Sequence, residues 1–275
     1  MTQKRVMAIH DMSGFGRCSL TVALPALSAM GAQCVPLPTA FLSAHTAFPD
    51  FTFHDMTAEM RPAFSHWRDM GLTFDALYSG FLGSAEQIDI VAECFDAFPG
   101  ALVVVDPVMG DGGKAYKTYT PEMCSRVREL TLRADLITPN VTEAAILLGL
   151  DYGSAPKRYE DFQPWLEALS NGGTSSVVIT GIQPAPCRIG QAYYNRDTGD
   201  FGCCERPFVG RQFHGTGDLY SSVLVGKLLQ GKPLAEAADL SAGFVRECCE
   251  LSFGDGTPSS EGVRFEPLLW KLGEH

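Results

Sequence analysis

The chain has 275 residues and a formal net charge of −11, so it lacks the surplus of Lys and Arg that nucleic-acid binding requires. A hydrophobic fraction of 45 % is enough for a sizeable core, and no stretch approaches the roughly 18–20 apolar residues of a membrane span. There are nine cysteines and no C-x-x-C pair, and Cys203-Cys204 and Cys248-Cys249 are directly adjacent; this suits reduced thiols in a cytosolic protein better than a zinc site or a disulfide framework.

Strand-like and helix-like segments alternate along the chain. Val6 to Ile9 predicts a short buried strand, too short for the apolar segment of a secretion signal, so a cytoplasmic protein is expected. Leu20 to Met30 has helical spacing and stops at Gly31. Cys34 to Leu37 is strand-like but interrupted by Pro36 and Pro38. Thr57 to Met70 predicts a helix closed by Gly71. Ala76 to Tyr78 predicts a strand, and Ala85 to Phe98 a helix. Ala101 to Val105 is the clearest buried strand. Pro121 to Arg133 reads as a helix with proline in its first turn. Leu136 to Thr138 reads as a strand, Thr142 to Leu148 as a helix ending at Gly149, and Ala155 to Ser170 contains another helix. Ser176 to Thr180 predicts a buried strand. Ile189 to Asn195 and Phe201 to Arg206 alternate around Asp197-Thr198-Gly199 and predict a β-hairpin. Helices over Asp218 to Leu229 and Leu234 to Cys249 follow. The pattern predicts one α/β domain over residues 1–275: a three-layer α/β/α sandwich with a mostly parallel sheet and an antiparallel edge.

In such sheets ligands bind beyond the carboxyl ends of the strands, and there glycines and carboxylates collect. The strand ends carry His10-Asp11-Met12-Ser13-Gly14, Ser79-Gly80-Phe81-Leu82-Gly83, Asp106-Pro107-Val108-Met109-Gly110-Asp111, Thr138-Pro139-Asn140-Val141-Thr142-Glu143 and Thr180-Gly181. Gly215-Thr216-Gly217-Asp218 opens a helix. Free N–H groups there point at an anion, and the helix dipole favours negative charge. Asp218 could accept the proton of an attacking alcohol, or it could be a plain N-cap. Asn140 and Glu143 suit a capping box; Glu143 also suits a Mg²⁺-bound water. Gly110 to Gly113, with Tyr116 beyond, reads as a mobile lid. Gly14-x-Gly16-x-x-Ser19 imitates a dinucleotide fingerprint, but no acidic residue follows at the second strand end to hold a ribose. There is no G-x-x-x-x-G-K-[ST] motif. Among the histidines only His45 sits in a suggestive loop.

Six of these segments, in order, resemble the pyridoxal (vitamin B6) kinases of the ribokinase-like superfamily: Ala8-Ile9-His10, Leu42-Ser43-Ala44-His45-Thr46, Ser79 to Gly83, Asp106 to Asp111, Ile137 to Glu143, and Gly215 to Leu219. The resemblance runs nearly the full length. It implies phosphorylation of the 5′-hydroxymethyl group of a B6 vitamer by ATP, with Mg²⁺, a monovalent cation such as K⁺, and a homodimer. By the same resemblance Asp218 is the base and Gly215 and Gly217 form the anion hole, with Thr216 beside them. Asp106 and Glu143 lie at the metal and phosphates. Asp111, Tyr116, Asn140 and Thr180 contact ATP. Asp11, Leu42, Ser43, Thr46 and Phe81 line the vitamin pocket. This chain departs from the family in carrying Asp11 where Ser is usual and Phe81 where Tyr is common. His214 before Gly-Thr-Gly is similar to the hydroxymethylpyrimidine kinases of thiamine synthesis, which make the alternative reading, although those often carry Cys at the position of Asp218. A third possibility is a vitamin-binding protein without catalysis.

Overall fold

The structure is a computed structural model and describes residues 2–273. Eleven strands and eight α-helices alternate: β1 (Arg5–Ser13), α1 (Leu20–Ala29), β2 (Gln33–Leu42), β3 (Phe53–Asp55), α2 (Thr57–Asp69), β4 (Ala76–Ser79), α3 (Ala85–Ala97), β5 (Leu102–Val105), β6 (Gly110–Asp111), β7 (Lys114–Ala115), α4 (Pro121–Thr131), β8 (Leu136–Ile137), α5 (Val141–Leu148), α6 (Gln163–Leu169), β9 (Ser176–Ala185), β10 (Arg188–Tyr194), β11 (Phe201–Pro207), α7 (Thr216–Leu229) and α8 (Leu234–Gly254). Nine strands form one sheet in the order β11-β10-β9-β8-β5-β4-β1-β2-β3. The six strands from β9 to β2 run parallel, β10 and β11 are antiparallel at one edge, and β3 is antiparallel at the other.

The central strands alternate between two cores. Met7, Ile9, Leu77, Val105, Ile137 and Val177 point into a cluster shared with α2 to α6. Val6, Ala76, Tyr78, Val104, Leu136 and Val178 point the other way, into a cluster shared with α1, α7 and α8. Each large apolar side chain fully withdrawn from water contributes about 1.5–3 kcal/mol, so strands buried on both faces read as continuous hydrophobic runs. This three-layer arrangement is the one expected, hairpin included.

Three features differ from expectation. β2 continues through Pro36 and Pro38 to Leu42. The Gln33 amide bonds to the Lys4 carbonyl on the β1 side, and alternation along the strand turns positions 36 and 38 outward. β3 pairs only with Ala40, Phe41 and Leu42, so both prolines face an open edge, where a missing donor costs nothing. β3 itself, three exposed residues long, has no apolar pattern to announce it. The glycine-rich segment after β5 is a two-stranded ribbon, β6–β7, in which Gly110 pairs with Ala115 and Asp111 with Lys114.

Candidate active site

Local sequence sets each element that reaches the carboxyl edge. α5 starts with a complete capping box: the Glu143 amide donates to Asn140 Oδ1 at 3.0 Å, and the Asn140 amide donates to Glu143 Oε2 at 2.8 Å. The other Glu143 oxygen accepts the Met109 amide at 3.1 Å, and Asn140 Nδ2 donates to the Gly110 carbonyl at 2.8 Å. The α5 N-terminus therefore anchors the base of the β6–β7 ribbon. The Gly113 amide donates to Thr142 Oγ1 at 2.9 Å, which ties down its tip.

α7 begins differently. Gly215 is its N-cap, at φ 73°, and no side chain caps the helix. By helix geometry the amides of its first turn have no intrahelical acceptor. The left-handed Gly215 is required twice over, because a Cβ there would also run into the Arg17 carbonyl oxygen. Gly217 is unlike it: its φ is ordinary, and a Cβ there would meet nothing within 4 Å. The protein's own packing does not demand glycine at 217; an approaching ligand would.

Four carboxylates converge on this helix end. Asp106 follows β5, is buried, and accepts from Ser221 Oγ at 3.1 Å; Ser221 also lies 3.1 Å from Thr138 Oγ1. Asp218 lies one turn before Ser221 on α7. Burial first, and the Asp11 charge second, raise its pKa to about 7 against the pull of a bond from the Ser19 amide. Burial, then the Asp218 charge, pushes Asp106 upward. Burial, then the Asp106 charge, pushes Glu143 upward. Asp11 sits at an irregularity in the β1–β2 register between His10 and Met12. Such a bulge re-aims a side chain, and Asp11 is buried with Ser19 Oγ donating at 2.6 Å and Ser13 Oγ at 2.8 Å. Burial raises its pKa, and the two hydroxyls oppose the shift.

One cavity runs along the carboxyl edge. Asp106, Asp111, Tyr116, Asn140, Glu143 and Thr180 line it together with Gly215 to Asp218. The expected vitamin-side residues Asp11, Leu42, Ser43, Thr46 and Phe81 are not among the residues that line it. Leu42 is buried, Ser43 and Thr46 are exposed, and Phe81 is half-buried with its ring 6.0 Å from that of Tyr119. The Ser43 hydroxyl accepts from the Thr52 amide at 2.8 Å. Sequence reasoning missed Ser221, Ser13 and Ser19. The i, i+3 spacing of Asp218 and Ser221 on one helix face was the available signal for the first. Gly14-x-Gly16-x-x-Ser19 belongs to the site without being a dinucleotide fingerprint: Ser19, held at φ 51°, supports Asp11 and Asp218.

Magnesium commonly keeps its waters and takes one or two carboxylates plus substrate phosphates. The donor set fits that mode. Asp106 has one oxygen not engaged by Ser221, and the charge of Asp218 raises the pKa of Asp106 while that of Asp106 raises the pKa of Glu143, a repulsion that a cation would relieve. Among the described residues no three His, Cys, Asp or Glu side chains gather as a metal cluster. Among the same residues no helix is long and apolar enough to cross a membrane.

A mostly parallel sheet between two helical layers, with antiparallel edges and a bare helix N-terminus beside a carboxylate, is the ribokinase-like arrangement of small-molecule kinases. The superposition agrees: pyridoxal kinase from Lactobacillus plantarum matches with TM-score 0.90 and 30 % identity over 99 % of this chain and 97 % of that one. The chain belongs to the phosphomethylpyrimidine kinase family, whose profile matches residues 24–260. A crystal structure from Bacteroides thetaiotaomicron, assigned provisionally to phosphomethylpyrimidine kinase, matches with TM-score 0.95 and 39 % identity over 100 % of this chain and 96 % of that one. A second crystal form of that protein, with pyridoxal, matches with TM-score 0.94 over 99 % and 96 % of the two chains. A pyridoxine/pyridoxal/pyridoxamine kinase of Bordetella avium is 29 % identical over 96 % of this chain and 93 % of its own length. A hydroxymethylpyrimidine/phosphomethylpyrimidine kinase of Bacillus subtilis is 32 % identical over 66 % of each.

The two glycines of the α7 entry make opposite predictions. Gly217→Ala should leave thermal stability unchanged or raise it by up to about 1 kcal/mol, since alanine is the better helix former, while kcat/KM for ATP falls at least tenfold. Gly215→Ala should lower both stability and activity. Calorimetric unfolding beside steady-state kinetics separates the two cases, and an active Gly217→Ala enzyme would exclude phosphate from that helix end.

Proposed function

We propose that the protein transfers the γ-phosphoryl group of ATP to the 5′-hydroxymethyl group of a B6 vitamer, using the whole chain as one kinase unit. The observation that carries this reading is the α7 entry: uncapped amides of residues 215–217 next to a buried carboxylate whose pKa is raised to about 7. A base poised near the working pH is the effective one, and amides fixed before the reaction stabilise charge on a phosphoryl group in transfer without reorganising. Asp218 accepts the proton of the alcohol. The amides of Gly215, Thr216 and Gly217 receive the phosphoryl oxygens. Asp106 and Glu143 would hold Mg²⁺, which would supply neutralisation of phosphate charge there. Asn140, Thr180, Asp111 and Tyr116 contact the nucleotide, with the β6–β7 ribbon closing over the phosphates. The proposal includes the monovalent cation and the homodimer that the family resemblance implies.

On the ring side, Leu42, Ser43, Thr46, Phe81 and Asp11 surround the vitamin. The likeness to a protein crystallised with pyridoxal supports this choice of substrate. The family profile and the Bacillus subtilis relative support the other reading, a hydroxymethylpyrimidine kinase. An ADP-release assay with pyridoxal, pyridoxamine, pyridoxine and 4-amino-5-hydroxymethyl-2-methylpyrimidine separates the two. Turnover of the pyrimidine alone overturns the B6 reading; binding of pyridoxal with no ADP release overturns catalysis altogether.

Two further results are expected. Asp218→Asn should lower kcat by about 10²–10⁴-fold with ATP binding retained. Because the base must be ionised, the wild-type kcat/KM should fall below pH about 7, following the raised pKa of Asp218; a profile flat to pH 5 would remove Asp218 from that role. Asp11, a carboxylate where an uncharged hydroxyl is usual, should favour a cationic partner such as a protonated ring nitrogen or an amine. Asp11→Ser should therefore lower the ratio of kcat/KM for pyridoxamine to that for pyridoxal, and an unchanged ratio would count against this assignment.

A further inference from the structure

His45 stands where four segments of the site meet. Its ring is buried and lies on Gly16, whose backbone is at φ 87° and whose missing Cβ would occupy the imidazole's place. His45 Nδ1 accepts the Ala47 amide at 3.2 Å. An imidazole nitrogen that accepts leaves the proton on the other, so Nε2 donates to the Ser260 carbonyl, 2.7 Å away. The same ring stacks on His214, centroids 4.9 Å apart and planes tilted by 38°. His214 immediately precedes the Gly215 N-cap.

The Ser259–Glu261 turn closes the knot from behind. The His214 amide donates to the Ser259 carbonyl at 3.3 Å, the Val263 amide donates to the His214 carbonyl at 3.2 Å, and the Arg17 amide donates to the Glu261 carbonyl at 3.1 Å. Gly262, at φ 80°, lies so close that a Cβ would sit 2.8 Å from Arg17 Cβ. The Arg17 carbonyl in turn abuts Gly215. The loop after β2, the loop after β1, the α7 entry and the C-terminal turn are thus interlocked through one imidazole and one arginine backbone. The β2 loop carries the residues assigned to the alcohol substrate, and the α7 entry carries those assigned to the phosphoryl group.

We propose that His45 is a positioning residue that couples the two substrate sites: ordering of the β2 loop by the ring alcohol fixes His45 against His214 and Ser260, and so fixes the α7 entry for the nucleotide. The inference rests on the assignment of those two loops to the two substrates. It requires no contact between His45 and either of them. Coupling of this kind is reciprocal and commonly amounts to about 5-fold or more in affinity.

The test uses the full-length protein and an ATP analogue with a β,γ-imido bridge, which binds without transferring its phosphoryl group. Its Kd is measured by titration calorimetry with and without saturating ring alcohol, taking whichever of the four alcohols is turned over. In the wild type the alcohol should tighten the analogue about 5-fold or more. His45→Phe keeps an aromatic ring but loses both nitrogen bonds, and its ratio should fall toward one. His45→Gln keeps an N–H donor for Ser260 and should retain part of the coupling. A wild-type ratio of one overturns the inference whether or not the variants fold, and so does full coupling in His45→Phe. Failure of every alcohol to bind is a separate outcome, which removes the functional reading itself.

Discussion

Everything at the carboxyl edge follows from placing carboxylates where water is scarce. Asp11, Asp106, Glu143 and Asp218 are withdrawn from solvent close enough together that each raises, or is raised by, a neighbour's charge. Burial of a lone carboxylate is unfavourable unless hydrogen bonds or opposite charge offset it. The fold offsets it in part, with the hydroxyls of Ser13, Ser19 and Ser221 and the amides of Asn140, Met109 and Ser19. The remaining mismatch is what makes the site receptive. In the proposed function a metal ion with its triphosphate, a protonated ring nitrogen, or an alcohol proton would each supply what one of these carboxylates lacks.

Those offsets explain why so much unusual backbone gathers here. Ser19 is one of the few non-glycine residues at positive φ, a conformation that costs about 1–3 kcal/mol and persists where surroundings impose it. Here it directs one hydroxyl at Asp11 and one amide at Asp218. Gly16, Gly215 and Gly262 have positive φ and are also pressed against His45 or Arg17. Glycine at those three positions is a demand of the protein's own packing. Gly217 has neither constraint, and the phosphate contact proposed for it would explain glycine there. Both kinds look alike in a sequence; only the surrounding atoms tell them apart.

The sequence made local features legible and long-range ones opaque. The Asn140–Glu143 capping box, the glycine that opens α7 and the carboxylate that follows β5 are each fixed by a few neighbouring residues and lie where the pattern put them, whereas Asp11, expected just past the first strand, lies inside β1, which runs on to Ser13. β3 depends on Ala40 to Leu42 as partners and carries no period of its own. The extension of β2 through two prolines depends on which edge of the strand is open. Ser260 contributes to the site through a backbone carbonyl, which no residue type signals. The interaction of His45 with that carbonyl spans 215 positions along the chain, so His45 could be noticed in its loop but not connected to anything.

The alternative substrates differ at the ring and share everything at the phosphate, and the structure divides along the same line. α5, α7 and the β6–β7 ribbon carry the phosphate side on capped or tightly anchored backbone, which suits chemistry that is mostly positioning and charge stabilisation. In the proposed assignment the ring side rests on the loop after β2, with exposed Ser43 and Thr46, and on the buried Asp11 carboxylate. On the proposed assignment a change of ring would be met by exchanging a few side chains on that loop while the α7 entry stays as it is, because the hydroxymethyl group would have to reach Asp218 in either case. The Asp11 carboxylate is the one element of the ring side held by two buried hydroxyls. Discrimination therefore falls first to the charge and hydrogen-bonding edge of the ring, and only then to its shape.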